Sequence, residues 1–212
     1  MLLRYGLMLL LFYSGLVNAF WSGVAFEFGS IDSDWDFKHE TREAQIDQIS
    51  IKLEDKVGSS LTGGLELGYF DMRVVAPDSS TAETLKFDGA FFGVYLRQPV
   101  PISDWLSLYG KIGLRYTSGS ESGDGNADID WTTALFELGM GLRFSNYRVT
   151  PFVVYEDVDG DISNDGTETF EMDDEITQGI KFDYFTDSVS FIQLVFVTGG
   201  NEGGYINFVR RY

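Results

Sequence analysis

The sequence predicts an all-β fold: a closed antiparallel transmembrane β-barrel of ten strands, with eight as the alternative count. Three observations carry this. After the first twenty or so residues, apolar and polar side chains alternate with period two along most of the chain. The alternating segments run to about 10 residues, the length a tilted strand needs to cross a bilayer. The connections between them alternate short and long, as periplasmic turns and external loops do. The parity opposite the apolar one carries charges of both signs mixed with glycine, which suits a polar lumen behind a lipid-facing wall.

Ahead of the strands, Arg4 precedes an apolar run over residues 7–17 and then Val17-Asn18-Ala19. These are the charged, apolar and small-residue regions of a signal peptide. The run is shorter than the about 20 apolar residues of a membrane-spanning helix. Residues 1–19 are therefore expected to be a signal peptide, and residues 20–212 the barrel domain.

The ten segments fall at 21–31, 45–55, 61–74, 85–97, 105–116, 131–144, 148–158, 174–185, 189–198 and 204–212. In the second, Ile49, Ile51 and Leu53 alternate with Ser50 and Lys52. In the third, Leu65, Leu67 and Tyr69 alternate with Gly64, Glu66 and Gly68. In the fifth, Leu108, Ile112, Leu114 and Tyr116 face away from Tyr109, Lys111, Gly113 and Arg115. In the sixth, Phe136, Leu138, Met140 and Leu142 face away from Glu137, Gly139, Gly141 and Arg143. The first, seventh and ninth are the least regular, and the eight-strand alternative assigns the weaker segments to loops.

Residues 56–60, 98–104, 145–147 and 186–188 make the short periplasmic turns. Residues 32–44, 75–84, 117–130 and 159–173 make the longer external loops, rich in Asp, Glu, Gly and Ser, with a short fifth connection at 199–203. A soluble sandwich or lipocalin-like barrel would also alternate, with its apolar parity turned into a core. The charged, glycine-rich parity favours the membrane wall. It assigns Lys52, Glu54, Glu66, Lys111, Arg115, Glu137, Arg143 and Lys181 to a lumen network, with Asp183 among its acidic members. A barrel this narrow is filled by side chains, so a paired polar plug is expected. Trp21 and Trp105 near periplasmic strand ends, and Trp131 near an external end, are expected in interfacial aromatic girdles.

The stretches LSLYGKIGLRY (106–116) and FELGMGLRF (136–144), with the final YINFVRRY, resemble the small outer-membrane β-barrel proteins of Gram-negative bacteria, the OmpA-like and opacity-like group. The resemblance implies a place in the cell outer membrane, in contact with its lipid and lipopolysaccharide. It also implies handling by periplasmic chaperones and by the outer-membrane assembly machinery, with Ile206, Phe208 and Tyr212 of the last strand as the assembly signal. A monomer is expected.

With 33 acidic residues against 15 basic ones, the chain is unsuited to nucleic acid. It has no cysteine, so neither disulfides nor thiolate metal sites exist. The run Asp161-Ile162-Ser163-Asn164-Asp165-Gly166 matches the first half of a calcium loop. The closing glutamate is misplaced, with Met172 twelfth and Glu171 one position early. Asp161, Ser163, Asp165 and Glu171 are thus weak Ca²⁺ candidates, and no other cofactor is expected. A lone histidine, His39, gives no general base with a supporting partner, and no enzyme is expected. The functional expectation is a structural or surface-interaction role in the envelope. One alternative is a narrow passive channel for ions or small solutes. Another is a loop-borne adhesin or receptor, for which Trp35, Phe37 and Phe170 supply aromatic residues in the loops.

Overall fold

The computed structural model describes residues 22–38, 40–57, 60–75, 84–123, 125–163 and 166–212. The signal-peptide segment, Trp21, His39 and Asp165 lie outside the described residues. The strands are β1 (Gly23–Phe37), β2 (Glu40–Lys56), β3 (Thr62–Val75), β4 (Leu85–Pro101), β5 (Leu106–Glu121), β6 (Asp128–Phe144), β7 (Tyr147–Ser163), β8 (Thr167–Met172), β9 (Ile176–Phe185), β10 (Ser190–Gly199) and β11 (Asn201–Arg211). Ten of them close an antiparallel barrel: β1 to β7 pair in sequence, β9 follows β7, and β11 closes onto β1. Both ends of the barrel chain meet at one rim, where Gly23 pairs with Arg211. The turns on that periplasmic rim are short. One of them is closed by Asp187, whose carboxylate accepts the backbone N–H groups of Val189 and Ser190 at 2.7 Å each.

β8 is the eleventh strand and sits only at the external end, between β7 and β1. It forms because β9, β10 and β11 stop early, at 10 or 11 residues, while β1 to β7 run for 14 to 17. Without it, the upper parts of β7 and β1 would be open edges. The upper barrel is therefore eight-stranded and the lower barrel ten-stranded. A single rung of paired residues climbs through Glu27, Ser50, Gly68, Phe91, Thr117, Trp131, Gly160 and Phe170, and returns to β1 at Phe37. That climb is the strand tilt which closure requires.

Outside the lower barrel, exposed apolar side chains form a continuous belt. It includes Leu67 on β3, Phe92 and Val94 on β4, Ile112 and Leu114 on β5, and Phe136 and Leu138 on β6. Tyr69, Tyr116 and Tyr155 edge it above; Phe144, Tyr147, Tyr184 and Tyr212 edge it below. A 17-residue strand at about 3.3 Å per residue, tilted by about 40°, rises roughly 40 Å, against a belt of about 25 Å. The excess projects beyond the membrane on the external side.

At the upper edge of the belt the alternation inverts. On β2 the outward residues change from Leu53, Ile51 and Ile49 to Asp47, Gln45 and Glu43. The inward ones change from Glu54, Lys52, Ser50 and Gln48 to Ile46 and Ala44. On β7 the outward Val153 and Tyr155 give way to Asp157, Asp159 and Asp161, while Val158 and Ile162 turn inward. The environment changes from lipid outside and polar inside to water outside and apolar inside. Much of the expected external loop at 32–44, 117–130 and 159–173 is consequently strand.

Gly160 permits the tightest part of the upper packing. A Cβ there would lie 2.5 Å from both the Phe170 ring and Cβ of Trp131, and 2.6 Å from a backbone oxygen of Asp130. Gly160→Ala is expected to lower stability by about 1–3 kcal/mol through overpacking, measured by urea unfolding of vesicle-inserted protein.

Candidate functional site

The barrel interior is the candidate site, and it has two parts. The lower part is a set of charge-paired clusters. Glu66 on β3 accepts Ser50 Oγ at 3.1 Å and an Arg115 guanidinium N–H at 3.1 Å, with Lys52 Nζ at 3.4 Å. Lys52 also donates to Glu27 on β1 at 2.6 Å, and Arg115 to Gln48 at 3.4 Å. These residues come from β1, β2, β3 and β5, with β2 supplying Gln48, Ser50 and Lys52 from successive inward positions. Glu137 on β6 accepts from Lys181 and from the Tyr109 hydroxyl. Glu54 accepts the Tyr95 hydroxyl at 3.0 Å and Arg97 at 3.2 Å. Asp183, fully buried, accepts from Arg148 and from Gln193, which in turn accepts from Asn207 at 3.1 Å.

A buried charge without a partner costs several kcal/mol, so closure of each cluster is what makes this interior tolerable. Cations also lie over rings: Arg115 is 4.6 Å from the Phe91 centroid, Lys181 is 4.4 Å from that of Phe152, and Lys111 is 4.8 Å from that of Tyr95.

Of the residues assigned to the lumen from sequence, Lys52, Glu66 and Arg115 form one cluster, Glu137 and Lys181 a second, and Glu54 a third. Lys111 is inward and makes no ion pair within 4 Å among the described residues. Arg143 departs from the expectation. It is exposed at the periplasmic mouth with its guanidinium 5.0 Å over the Phe185 ring, because its position falls at the end of β6. Glu27, Arg97, Arg148, Tyr95 and Tyr109 were not singled out from sequence. Glu27 lay in an irregular segment, Arg97 and Arg148 stood at segment ends, and the tyrosines have no charge to mark them.

The upper part is an apolar core. Trp35 stacks on Phe170 with centroids 4.5 Å apart and planes 5° from parallel, and meets Trp131 edge-on at 5.3 Å. Phe70 meets Trp131 at 5.1 Å, and Phe37 meets Phe170 at 5.4 Å. Met72, Val74, Phe87, Phe91, Ile129 and Met172 fill the remaining space. Arg42 covers its top, 4.7 Å over the Phe37 ring and 3.9 Å from Glu168 of β8. Trp131, expected in the external girdle, is thus a core residue, only 7 % exposed. It shares the inward parity of Thr133 and Glu137, and above the belt that inward face is apolar. Trp105 is 56 % exposed on its periplasmic turn.

Of the calcium candidates, Asp161, Ser163 and Glu171 lie among the described residues. Asp161 and Ser163 lie on β7, where Ser163 donates to Asp161 at 3.3 Å, and Asp161 pairs with Thr169 while Glu171 pairs with Asp159. Asp161 and Ser163 extend along β7, and Glu171 lies on the neighbouring β8. Among the described residues, no group of three His, Asp or Glu side chains could hold a metal ion.

At the seam of β1 and β8, above the membrane, Asp36 beside Asp173 raises the Asp173 carboxyl above its ordinary 3.8, with desolvation, Asp34 and Asp174 adding to it. Desolvation, then Glu43, Asp47 and Glu202, raise Asp32 likewise. A carboxyl whose folded value is raised binds its proton more tightly in the native state. The seam therefore loses stability as pH rises through the interval between the ordinary and raised values. Protection of the amides at Trp35–Phe37 and Phe170–Met172, taken relative to intrinsic exchange at each pH, is expected to rise on acidification from pH 7 towards 4, and Asp173→Asn should remove much of that dependence.

No protein-family model matches the chain, and no curated protein does. Among solved structures, the chain is similar to the transport unit of the autotransporter AIDA-I from Escherichia coli, at 12 % identity over 95 % of this chain and 94 % of that one, TM-score 0.49. It is similar to the translocator domain of the autotransporter NalP from Neisseria meningitidis, at 14 % identity over 90 % and 88 %, TM-score 0.48. A third is the outer membrane protein OprG from Pseudomonas aeruginosa, at 11 % identity over 90 % and 97 %, TM-score 0.43. These likenesses carry no assignment of function.

Proposed function

We propose that this chain is an outer-membrane barrel with a sealed interior, serving the envelope as a structural and surface-presenting element and not as a conduit. The observation that carries the reading is the upper core. Where the wall narrows from ten strands to eight, Trp35, Phe70, Trp131 and Phe170 occupy the axis. Charge pairing in the lower lumen supports the same reading, since each cluster spends its polar groups on itself. What the barrel offers outward is an eight-stranded cap faced with carboxylates, among them Asp34, Asp36, Asp71, Asp157 and Asp159.

The channel reading has the polar lower lumen in its favour and the aromatic core against it. The adhesin reading rested on Trp35, Phe37 and Phe170, which are at most 5 % exposed and offer no binding surface. In the proposed setting, residues 1–19 direct export, and the assembly machinery and periplasmic chaperones engage the last strand through Ile206, Phe208 and Tyr212. The barrel then works as a monomer amid lipid and lipopolysaccharide. Affiliation with the OmpA-like and opacity-like group is part of this proposal.

The test is uptake of small sugars and amino acids by proteoliposomes. Swelling no faster than that of empty vesicles is expected, and swelling that grows with protein content would overturn the reading.

A further inference from the structure

Three of the arginines on the inward face of the barrel wall have a carboxylate: Arg97 has Glu54, Arg115 has Glu66 and Arg148 has Asp183. Arg143 and Arg211, on the same face, make no ion pair among the described residues. Both stand at the periplasmic mouth. Arg143 lies directly opposite Arg148 in the ladder of β6 and β7, a placement in which like charges repel. Phe185 on β9 and Phe191 on β10 are cross-strand partners with ring centroids 5.2 Å apart. Three guanidinium groups gather on this pair of rings. Arg143 is 5.0 Å from the Phe185 centroid, Arg211 is 5.3 Å from that of Phe191, and Arg148 is 5.4 and 5.6 Å from the two. The rings hold these cations without neutralising them.

Among the described residues, one carboxylate joins the group. Asp183 accepts the Nε–H of Arg148, and its other oxygen accepts Gln193 at 2.7 Å. Arg148 spends only Nε on it, so its two terminal amino groups stay uncommitted. Glu54 faces Arg211 across Gly23, which pairs with both, but Arg97 and the Tyr95 hydroxyl already hold it. A Cβ at Gly23 would meet nothing nearer than 3.6 Å, so the space between them is open. On the turns, Asp55 and Asp187 accept the backbone N–H groups of Lys56, Val189 and Ser190. Arg143 is exposed, and Arg148 and Arg211 are half-buried, so solvent at the mouth reaches all three.

We propose that this mouth binds a phosphoryl group, taken by Arg143, Arg148 and Arg211 beside the Phe185–Phe191 pair. Guanidinium forks match phosphate oxygens in bidentate contacts. Three such charges against the single Asp183 carboxylate leave an excess that a phosphate dianion balances. Its source is a soluble phosphate monoester or the phosphate of an anionic lipid headgroup, and the charge balance favours the monoester, since a lipid phosphodiester carries one charge. The inference rests on the membrane-spanning reading for its periplasmic placement and adds a ligand class to the sealed barrel.

The experiment is isothermal titration calorimetry of the whole barrel with glycerol phosphate, in phosphatidylcholine nanodiscs and in detergent micelles. One saturable site is expected, with none for acetate. Arg143→Gln and Arg211→Gln should each weaken binding about ten-fold, as loss of a charge-assisted hydrogen bond implies. Lys86→Gln, exposed near the external end of β4, should leave the affinity unchanged. Nanodiscs containing phosphatidylglycerol separate the sources: an unchanged affinity there assigns the site to the soluble ester, and a lost one assigns it to the lipid headgroup. No saturable binding in either medium, acetate binding as tightly, or an affinity indifferent to both arginine variants would each overturn the proposal. Binding in detergent by a chain that fails to enter nanodiscs would keep the site and overturn the membrane reading beneath it.

Discussion

Glu66→Leu is expected to destabilise the folded barrel by about 3–5 kcal/mol, the cost of leaving buried cations without their counter-charge. Glu66 is nearly enclosed and takes three donors, from Ser50, Lys52 and Arg115. Lys52 would keep Glu27, so most of the penalty falls on Arg115, left with Gln48 at 3.4 Å and the Phe91 ring. Glu66→Gln retains the shape and one acceptor, and should lose less. Replacing the cluster together, as Lys52→Met, Glu66→Leu, Arg115→Met with Glu27→Gln, should recover much of the loss, because an apolar interior of similar volume needs no pairing. Urea unfolding in lipid vesicles, followed by tryptophan fluorescence, reads all three. A loss below about 1 kcal/mol for Glu66→Leu would mean that water already reaches this cluster and screens it.

The second large effect lies in the upper core. Trp131→Ala should cost about 3–5 kcal/mol, the range for deleting a large aromatic side chain from a packed interior. Trp131 touches Trp35 and Phe70 edge-on, and the backbone of β7 at Gly160 leaves no slack to collapse into the space. Trp131→Phe should cost less, since a smaller ring keeps part of these contacts. Substitution of Trp105, exposed on its turn, should change stability little by comparison. A Trp131→Ala loss as small as that of Trp105→Ala would place Trp131 at an interface after all.

These two effects come from the two halves of one interior, and the lower half was the more legible in the sequence. Within the belt, alternation with period two has one meaning: Ile49, Ile51 and Leu53 face lipid, and Ser50, Lys52 and Glu54 face the lumen. Strand count, turn placement and most lumen charges followed from it. Above the belt the same strands keep their alternation but exchange its meaning. Residues 32–37 alternate cleanly, Asp32, Asp34 and Asp36 against Ser33, Trp35 and Phe37. Their acidic composition makes them resemble a loop, although the period is that of a strand whose outside is water. Reading period before composition would have extended β1, β2, β6 and β7, and would have turned Trp131 inward.

β8 was harder to foresee. It is six residues long and matters only because β9 to β11 stop short, and such a closure depends on register across distant strands. Of the two counts weighed from sequence, ten is the one the closed barrel has, and the irregular segments are strands of it; the eight strands above arise because β8 takes the place of β9 to β11. Pairing partners inside the lumen were likewise beyond the sequence. Glu54 with Arg97 and Glu137 with Lys181 join residues 43 or 44 positions apart, and nothing local to either residue marks the match.

The central claim is that the interior is sealed. Its most direct test is electrical: purified, refolded protein in a planar lipid bilayer, recorded beside Arg115→Ala and Glu137→Gln variants. The account predicts silence from the unaltered chain, with heat-modifiable migration and far-ultraviolet spectra reporting a folded barrel in the same preparation. Discrete conductance steps from the unaltered chain, changed in amplitude by either substitution, would contradict it and make the charge clusters the lining of a channel.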